Sequence, residues 1–227
     1  MYTMILRFAG PLQSWGTDAR FETRLTEDIP TKSGIIGLLA SALGRQRDES
    51  IEDLRKLSYG VRVERPGKQI KDFHTARKVE GKKETSYITT RFYLSDAAFI
   101  VGVSGEDKEF LEQLGDAIRH PAYPLFLGRR SCTPDLPIYR EIVEMPLLEA
   151  LTSYNCSDET GNQIKIFIEG VYPNGIVRRV LDEPETFDQK HRKYKPRTVT
   201  EITVSKGEAP ITPEEFDAME AWNDSTD

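Results

Sequence analysis

Cysteine and histidine are both scarce in this chain of 227 residues, which has two cysteines and three histidines. Cys132 and Cys156 do not form a CxxC pair, and His74, His120 and His191 lie far apart in the sequence. A disulfide framework needs several cysteines, and a zinc site needs cysteines or histidines at ligand spacing. The composition therefore predicts two reduced thiols, no metal site and no cofactor.

Long apolar runs are absent as well. No run approaches the roughly 18 apolar residues that a membrane-spanning helix requires. The first ten residues, MYTMILRFAG, lack the basic segment and the cleavage site of a secretory signal. Hydrophobic residues make up 38% of the chain and charged residues 30%, which is typical of a globular protein with a solvated surface. We therefore expect a cytoplasmic protein without a membrane partner.

Positive charge is not in excess overall, since the formal net charge is −6, but the two signs are unevenly distributed. Residues 208–227 contain seven acidic residues and no lysine or arginine, so the other 207 residues carry 31 basic and 30 acidic groups. Within this nearly neutral body, basic residues cluster at 68–83 and at 190–197. Such local positive patches are compatible with a nucleic-acid partner despite the negative total.

The order of predicted elements indicates the fold class. Apolar and polar residues alternate at 2–9, the period of a strand, and Thr31 or Ser33 can cap a helix that ends at Gly44. The predicted elements are a strand at 2–9, a helix at 31–43, a strand at 59–64, a polar excursion at 65–91, a strand at 97–103, a helix at 104–118 and a strand at 138–143. This order predicts an α+β fold with a ferredoxin-like, RRM-related split βαβ layout.

The C-terminal third has a different pattern. Short alternating segments at 164–168, 176–181 and 198–204 predict strands, and the turn chemistry of residues 172–175 separates the first two. We therefore expect a ferredoxin-like domain over 1–145 and a smaller β-rich region over 146–227 that ends in the acidic tail.

The excursion at 65–91 has no periodic apolar face and mixes cations with aromatic residues. This mixture is typical of a surface that grips single-stranded nucleic acid, although a solvated loop has the same composition. Its chemically notable residues are Lys71, Phe73, His74, Arg77, Lys78, Lys82, Lys83, Tyr87 and Arg91. His74 has no nearby histidine or carboxylate pair in the sequence, so we do not assign it a catalytic role.

The segment LRFAGPLQSWG at 6–16 places Gln13 and Trp15 directly after the first strand. In such a loop main-chain amides can reach phosphate or sugar, and an exposed tryptophan can stack on a base. The alternative is that Trp15 closes the end of the hydrophobic core.

A second candidate site is PTKSG at 30–34, which lies at the start of the first helix. Free amides and the helix dipole favour an anion there, and Lys32 adds a positive charge beside Ser33. Ordinary helix capping explains the same residues, so either a phosphate site or a plain cap is compatible with the sequence.

A third candidate is LGRRSCTP at 127–134, where Arg129, Arg130 and Ser131 lie in a loop bounded by glycine and proline. Two adjacent arginines in a loop, rather than on a helix face, favour planar contacts with phosphate or base. Two solvated surface charges are the alternative.

Together these segments resemble the CRISPR-associated CasD family of the type I-E Cascade complex. The resemblance rests on four segments in the family's order, over roughly residues 4–140, whereas residues 145–227 match only loosely. The segments are LRFAGPLQSWG at 6–16, IPTKSGIIGLLASALGRQRD at 29–48, DFHT at 72–75 and YPLFLGRRSCTPDLPI at 123–138.

The resemblance implies a ferredoxin-like RAMP domain with a β-hairpin thumb inserted at about 65–91. It also implies a non-catalytic subunit that caps the crRNA 5′ handle, contacts the backbone and large subunits, and meets target DNA only through the complex. The RNA-binding residues carried over from the family are Gln13, Trp15, Lys32, Ser33, Arg91, Arg129, Arg130 and Ser131, with His74 in the shared DFHT motif and without an assigned role.

Two other functions share this fold class. In the type I-C branch the related subunit is itself the endoribonuclease that processes repeat RNA, and metal-independent cleavage needs a general base and a general acid. The sequence offers no confident pair of this kind, so a repeat endoribonuclease is the alternative hypothesis. A general RRM-like RNA binder would be expected to carry an aromatic RNP1-type strand, which the sequence lacks.

Overall fold

The computed structural model describes residues 1–16, 23–80, 83–155, 163–188 and 193–205. Its strands and helices all fall within these ranges. In chain order they are β1 (Tyr2–Ala9), β2 (Leu12–Gln13), β3 (Thr23–Arg24), α1 (Lys32–Ala42), α2 (Glu52–Arg55), β4 (Ser58–Arg65), β5 (Lys68–Glu80), β6 (Lys83–Ser95), β7 (Ala98–Gly105), α3 (Lys108–Arg119), β8 (Tyr139–Val143), α4 (Leu147–Ser153), β9 (Gln163–Glu169), β10 (Ile176–Thr186) and β11 (Lys193–Ser205).

Seven of these strands form one antiparallel sheet in the order β10-β11-β9-β4-β7-β1-β8. Helix α1 follows β1 and precedes β4, while α3 connects β7 to β8. The mixed class with antiparallel strands, predicted from the order of the segments, is therefore confirmed.

The sheet is covered on both faces because the side chains of β1 point alternately to two cores. Met4, Leu6 and Phe8 pack with α1 and α3, whereas Ile5 packs with α4 on the other side, and all four side chains are fully buried. Helix α4 was not predicted from the sequence, since a helix of seven residues is too short to show a clear amphipathic period.

The ends of α1 match their sequence signals. The Thr31 hydroxyl accepts a hydrogen bond from the amide of Gly34 at 3.2 Å, and Gly44 adopts a φ of 77°, which favours glycine after a helix. The predicted start of α3 is wrong by a few residues, since β7 runs on to Gly105 and Asp107 is the true N-cap. None of the described helices combines the length and apolar character needed to cross a bilayer.

The C-terminal strands do not form a separate sheet. Strand β9 pairs directly with β4, and β11 pairs with β9. The boundary expected near residue 145 therefore does not divide two hydrogen-bonded units, because residues 163–205 extend the first sheet at the β4 edge. The acidic residues from 208 onward lie outside the described residues.

The excursion at 65–91 is a long β-hairpin, as the resemblance to the family implied. Strands β5 and β6 pair from Lys68↔Ser95 to Glu80↔Lys83, and we call this hairpin the thumb. Its second strand continues past the predicted end at residue 91, because Tyr93 and Leu94 are buried in the main core and anchor the base.

Candidate nucleic-acid interface

A groove of about 550 Å³ lies where the predicted loop motifs meet. Residues 14–16 of the first loop line it, together with one side of α1 and residues 45–47 after that helix. The lining is completed by Tyr123, Phe126, Gly128, Arg129, Phe187 and Tyr194. Segments that are more than 100 residues apart in sequence thus share one surface, which we call the α1 groove.

The lining of the α1 groove is rich in cations and aromatic rings. Three arginines contribute to it, and the described lining contains no aspartate or glutamate, although the whole chain has a net charge of −6. Arg45 pairs with Asp53 just outside, and hydrogen bonding to this guanidinium holds the pKa of the Asp53 carboxyl below its usual value. The cationic and aromatic residues are Arg45, Arg47, Arg129, Trp15, Tyr123, Phe126, Phe187 and Tyr194.

Trp15 does not offer its ring to a base in this structure, which corrects the stacking hypothesis. Its side chain is 0% exposed and stacks on Phe8 with ring centroids 5.6 Å apart. The indole N–H donates to Gln13 Oε1 at 3.0 Å, while Gln13 Nε2 donates to the carbonyl of Ala97 at 2.8 Å. Both side chains are therefore part of the core, and only the main chain near Gly16 is exposed.

The helix start at Lys32 already holds an anion, and that anion belongs to the protein. The Lys32 amide donates to Asp182 Oδ2 at 2.7 Å, and Arg197 donates to the same carboxylate at 2.6 and 3.0 Å. The Lys32 ammonium is 3% exposed and pairs with Glu169 at 2.8 Å. The phosphate expected here would have to displace a buried carboxylate of β10, so the helix-start hypothesis is wrong for Lys32. Ser33 is buried too, but it lines the α1 groove.

The two adjacent arginines of the GRRSC loop have different environments. Arg129 donates to the carbonyls of Phe92 and Arg24 at 3.0 and 2.9 Å, and its guanidinium lies 4.7 Å from the centre of the Tyr93 ring. Arg130 is exposed, and its guanidinium has no partner among the residues that the structure describes. Arg129 therefore joins this loop to the thumb base, and only Arg130 is free to bind a ligand.

Close contact between backbones holds the GRRSC loop in place. Gly128 has a φ of 89°, and a Cβ at this position would lie 1.7 Å from the carbonyl oxygen of Ser14. The Ser14 amide donates to the Leu127 carbonyl at 3.0 Å. Cys132 is fully buried below the loop, and burial raises the pKa of its thiol, which stays protonated and unreactive. Ser131, in contrast, is exposed.

The thumb has two faces, because successive side chains along each of its strands point to opposite sides of the hairpin. His74 is exposed on one face opposite Thr89, two positions from the pair formed by Asp72 and Arg91. Arg91 is half-buried, and its Nε lacks a hydrogen-bond partner among the described residues.

The other thumb face carries apolar side chains among cations. Phe73 and Ile88 are each 66% exposed. The ammonium of Lys71 lies 4.9 Å from the centre of the Phe73 ring. An exposed ring beside a cation is the kind of surface on which a base can stack.

The described structure does not bring the histidines together. His74 lies on the thumb and His120 follows α3, while Lys190 and His191, which are adjacent in sequence, lie outside the described residues. Within the described ranges, no cluster of histidine, cysteine and carboxylate side chains could hold a metal ion.

Most of the groove residues carry no signal in the sequence that marks them as part of a site. Gly37 and Arg47 lie inside the quoted segment IPTKSGIIGLLASALGRQRD, but nothing in the sequence showed which side of the helix faces the groove. Phe187 and Tyr194 lie in the loosely matching C-terminal third, where no local motif marks them.

Comparisons with known proteins agree with this architecture. A family model described as CRISPR-associated protein (Cas_Cas5) matches residues 3–200. The CRISPR system Cascade subunit CasD of Escherichia coli strain K12 is 37% identical over 157 residues, which are 60% of this chain and 69% of that protein. A chain of a solved CRISPR RNA-guided surveillance complex superposes with a TM-score of 0.74 at 30% identity, covering 89% of this chain and 90% of that one. A solved Cas protein gives a TM-score of 0.69 at 39% identity, covering 92% and 97%. The chain therefore belongs to the Cas5 family of CRISPR-associated proteins.

Proposed function

We propose that this protein is a non-catalytic, crRNA-binding subunit of a type I-E Cascade complex that caps the crRNA 5′ handle in antiviral defence. The observation that carries the proposal is the α1 groove, where three arginines and several aromatic rings meet without a carboxylate in the described lining. The relatives named for the Cascade subunit and for an RNA-guided surveillance complex support the same role.

We further propose that the body is a ferredoxin-like RAMP domain with the thumb as its insertion. The support is the connectivity β1-α1-β4-β7-α3-β8 together with the spatial order β4-β7-β1-β8, which is the arrangement of a split βαβ fold. The thumb lies between β4 and β7 in the chain, so it can be inserted without interrupting the sheet.

The RNA contacts that we propose follow from which side chains remain accessible. Arg130 and Ser131 provide exposed polar groups, Ser33 lines the groove, and His74 and Arg91 lie on one thumb face. The other residues carried over from the family hold these groups in position from within the fold. These are Gln13, Trp15, Lys32 and Arg129.

In this proposal the backbone and large subunits of the complex bind to surfaces of this protein outside the groove. Target DNA is bound by the assembled complex, and this subunit contributes only as part of it. Purification with tagged partner subunits tests this arrangement. Guide RNA should be retained when the wild-type chain is present. A complex that lacks this subunit and still holds the RNA handle equally well would contradict the proposed arrangement.

The alternative endoribonuclease leads to the first prediction. We expect the purified chain to leave its repeat RNA uncut in EDTA, because no general acid and base are paired among the described residues. The measurement is gel analysis of end-labelled RNA, with RNA incubated without protein as the control for background hydrolysis. A single product with a 5′-hydroxyl end that disappears in His74→Ala or His191→Ala would establish the enzyme instead.

The second prediction separates the two arginines. Arg130→Ala should leave the free energy of unfolding within about 0.5 kcal/mol, because an exposed side chain without partners is removed. It should also weaken RNA binding and reduce the slope of log affinity against log salt by about 0.7, the value for one lost phosphate contact with single-stranded RNA.

Arg129→Ala is the matched control for that variant. It should lower the free energy of unfolding by about 1–3 kcal/mol, because carbonyls at the thumb base lose their donor. Denaturant unfolding and fluorescence titrations over a salt series measure both effects. A normal salt slope for Arg130→Ala would remove this residue from the RNA site.

A further inference from the structure

Gly37 lies in the middle of α1, where a glycine is less favourable than alanine because it has more conformational freedom to lose on folding. The other interior glycine of this helix has a packing reason, since a Cβ at Gly34 would lie 2.7 Å from the Trp15 ring. A Cβ at Gly37 would meet only Phe187 Cζ, at an ordinary contact distance of 3.7 Å. Among the described residues, packing does not require a glycine at position 37.

Because Gly37 has no side chain, the floor of the α1 groove at this point is main chain. Gly37 lines the groove together with Phe187, and the ring of Phe187 is half-buried against the core, which holds it in place. An aromatic ring that lines a groove beside bare main chain favours stacking with a planar group.

The charges that line the groove favour a planar group that also carries a negative charge. Arg47 is exposed at the rim, and no carboxylate belongs to the described lining, so the site favours an anionic ligand. A nucleotide combines a planar base with a phosphate, and stacking on an aromatic ring together with arginine contacts is how proteins bind single-stranded nucleic acid.

We infer that one unpaired base of the bound RNA lies over Gly37 against the ring of Phe187, with its phosphate near Arg47. This inference rests on the proposed function and adds to it the place where a base is held. A bulky side chain at position 37 would then compete with the base for the same space.

The test is a fluorescence titration of the full-length protein with a labelled single-stranded repeat RNA. Gly37→Leu should fill the floor and weaken binding by about tenfold or more, since stacking of one base contributes about fivefold to a hundredfold in affinity. Its thermal midpoint should stay close to that of wild type, because a Cβ at position 37 makes only an ordinary contact with Phe187. Gln113→Leu places a leucine at an exposed position of α3, outside the groove lining, and should leave affinity unchanged.

Cross-linking provides a second measurement if Gly37→Leu does not fold. RNA carrying 5-iodouridine should form a cross-link to Phe187 or a neighbouring groove tyrosine in the wild-type protein, as mapped by mass spectrometry. Cross-links confined to the thumb would overturn the inference.

The outcomes for RNA affinity separate the two proposals. If wild type and Gly37→Leu bind RNA equally well, the base site is wrong and the proposed function stands. If Gly37→Leu keeps its RNA affinity but no longer joins the complex, the groove holds a partner protein and the inference is overturned. If wild type retains no RNA either alone or with its partner subunits, the proposed function itself fails.

Discussion

Replacing residues 73–90 of the thumb with an Asn-Gly turn should leave the protein folded but abolish its assembly with guide RNA. Asp72 and Arg91 are directly opposite each other in the hairpin, so a two-residue type I′ turn can join them. The removed side chains that the structure describes are exposed or half-buried, and the core anchors Tyr93 and Leu94 are kept. A cooperative thermal melt near the wild-type midpoint and loss of RNA from the purified complex are the expected measurements.

A variant of full thumb length serves as the control for this deletion. Serine at Arg77, Lys78, Lys82 and Lys83 removes cations but keeps the length of the hairpin. If this variant also loses RNA, and regains it at low salt, the thumb binds mainly through charge. Retention of RNA by the shortened chain would contradict a role of the thumb in RNA binding, and loss of its cooperative melt would show that the thumb belongs to the core.

Replacing Asp182 with alanine should lower the stability of the fold strongly. The Asp182 side chain is 2% exposed and accepts hydrogen bonds from both the first amide of α1 and the guanidinium of Arg197. Removal of one partner from a buried ion pair leaves the other charge uncompensated, which costs about 3–5 kcal/mol. Since whole domains are stable by about 5–15 kcal/mol, urea unfolding should show a marked shift of the midpoint.

Two further variants make the Asp182 result interpretable. Glu185→Ala removes the partner of Lys195 on the same hairpin, but both side chains are partly exposed, so its unfolding midpoint should not change measurably. Asp182→Asn keeps a hydrogen-bond acceptor for the helix and should be intermediate. If Asp182→Ala unfolds at the wild-type midpoint, the carboxylate does not hold α1 against β10 and β11, and the helix start would again be open to a phosphate.

Much of the fold could be predicted from the sequence because the relevant signals are local. The alternation of residues 2–9 is sufficient for a strand, and Thr31 and Gly44 mark the two ends of a helix wherever that helix packs. The lack of a periodic apolar face at 65–91 separates the thumb from the core for the same reason. The quoted motifs indicated the family, which the family model over residues 3–200 confirms.

The site depended on tertiary structure, because burial and pairing are decided by residues distant in sequence. Arg129 and Arg130 are neighbours of the same type, yet one is held by the carbonyls of β6 and β3 and the other is exposed. Lys32 had the residues of an anion site, but Asp182, 150 residues later, supplies the anion. Trp15 lies in a loop rich in turn residues, and its ring is held inward by stacking on Phe8, a hydrogen bond to Gln13 and packing against Gly34. Local sequence therefore determines which elements form, whereas the contacts between distant elements determine which polar groups remain accessible to a ligand.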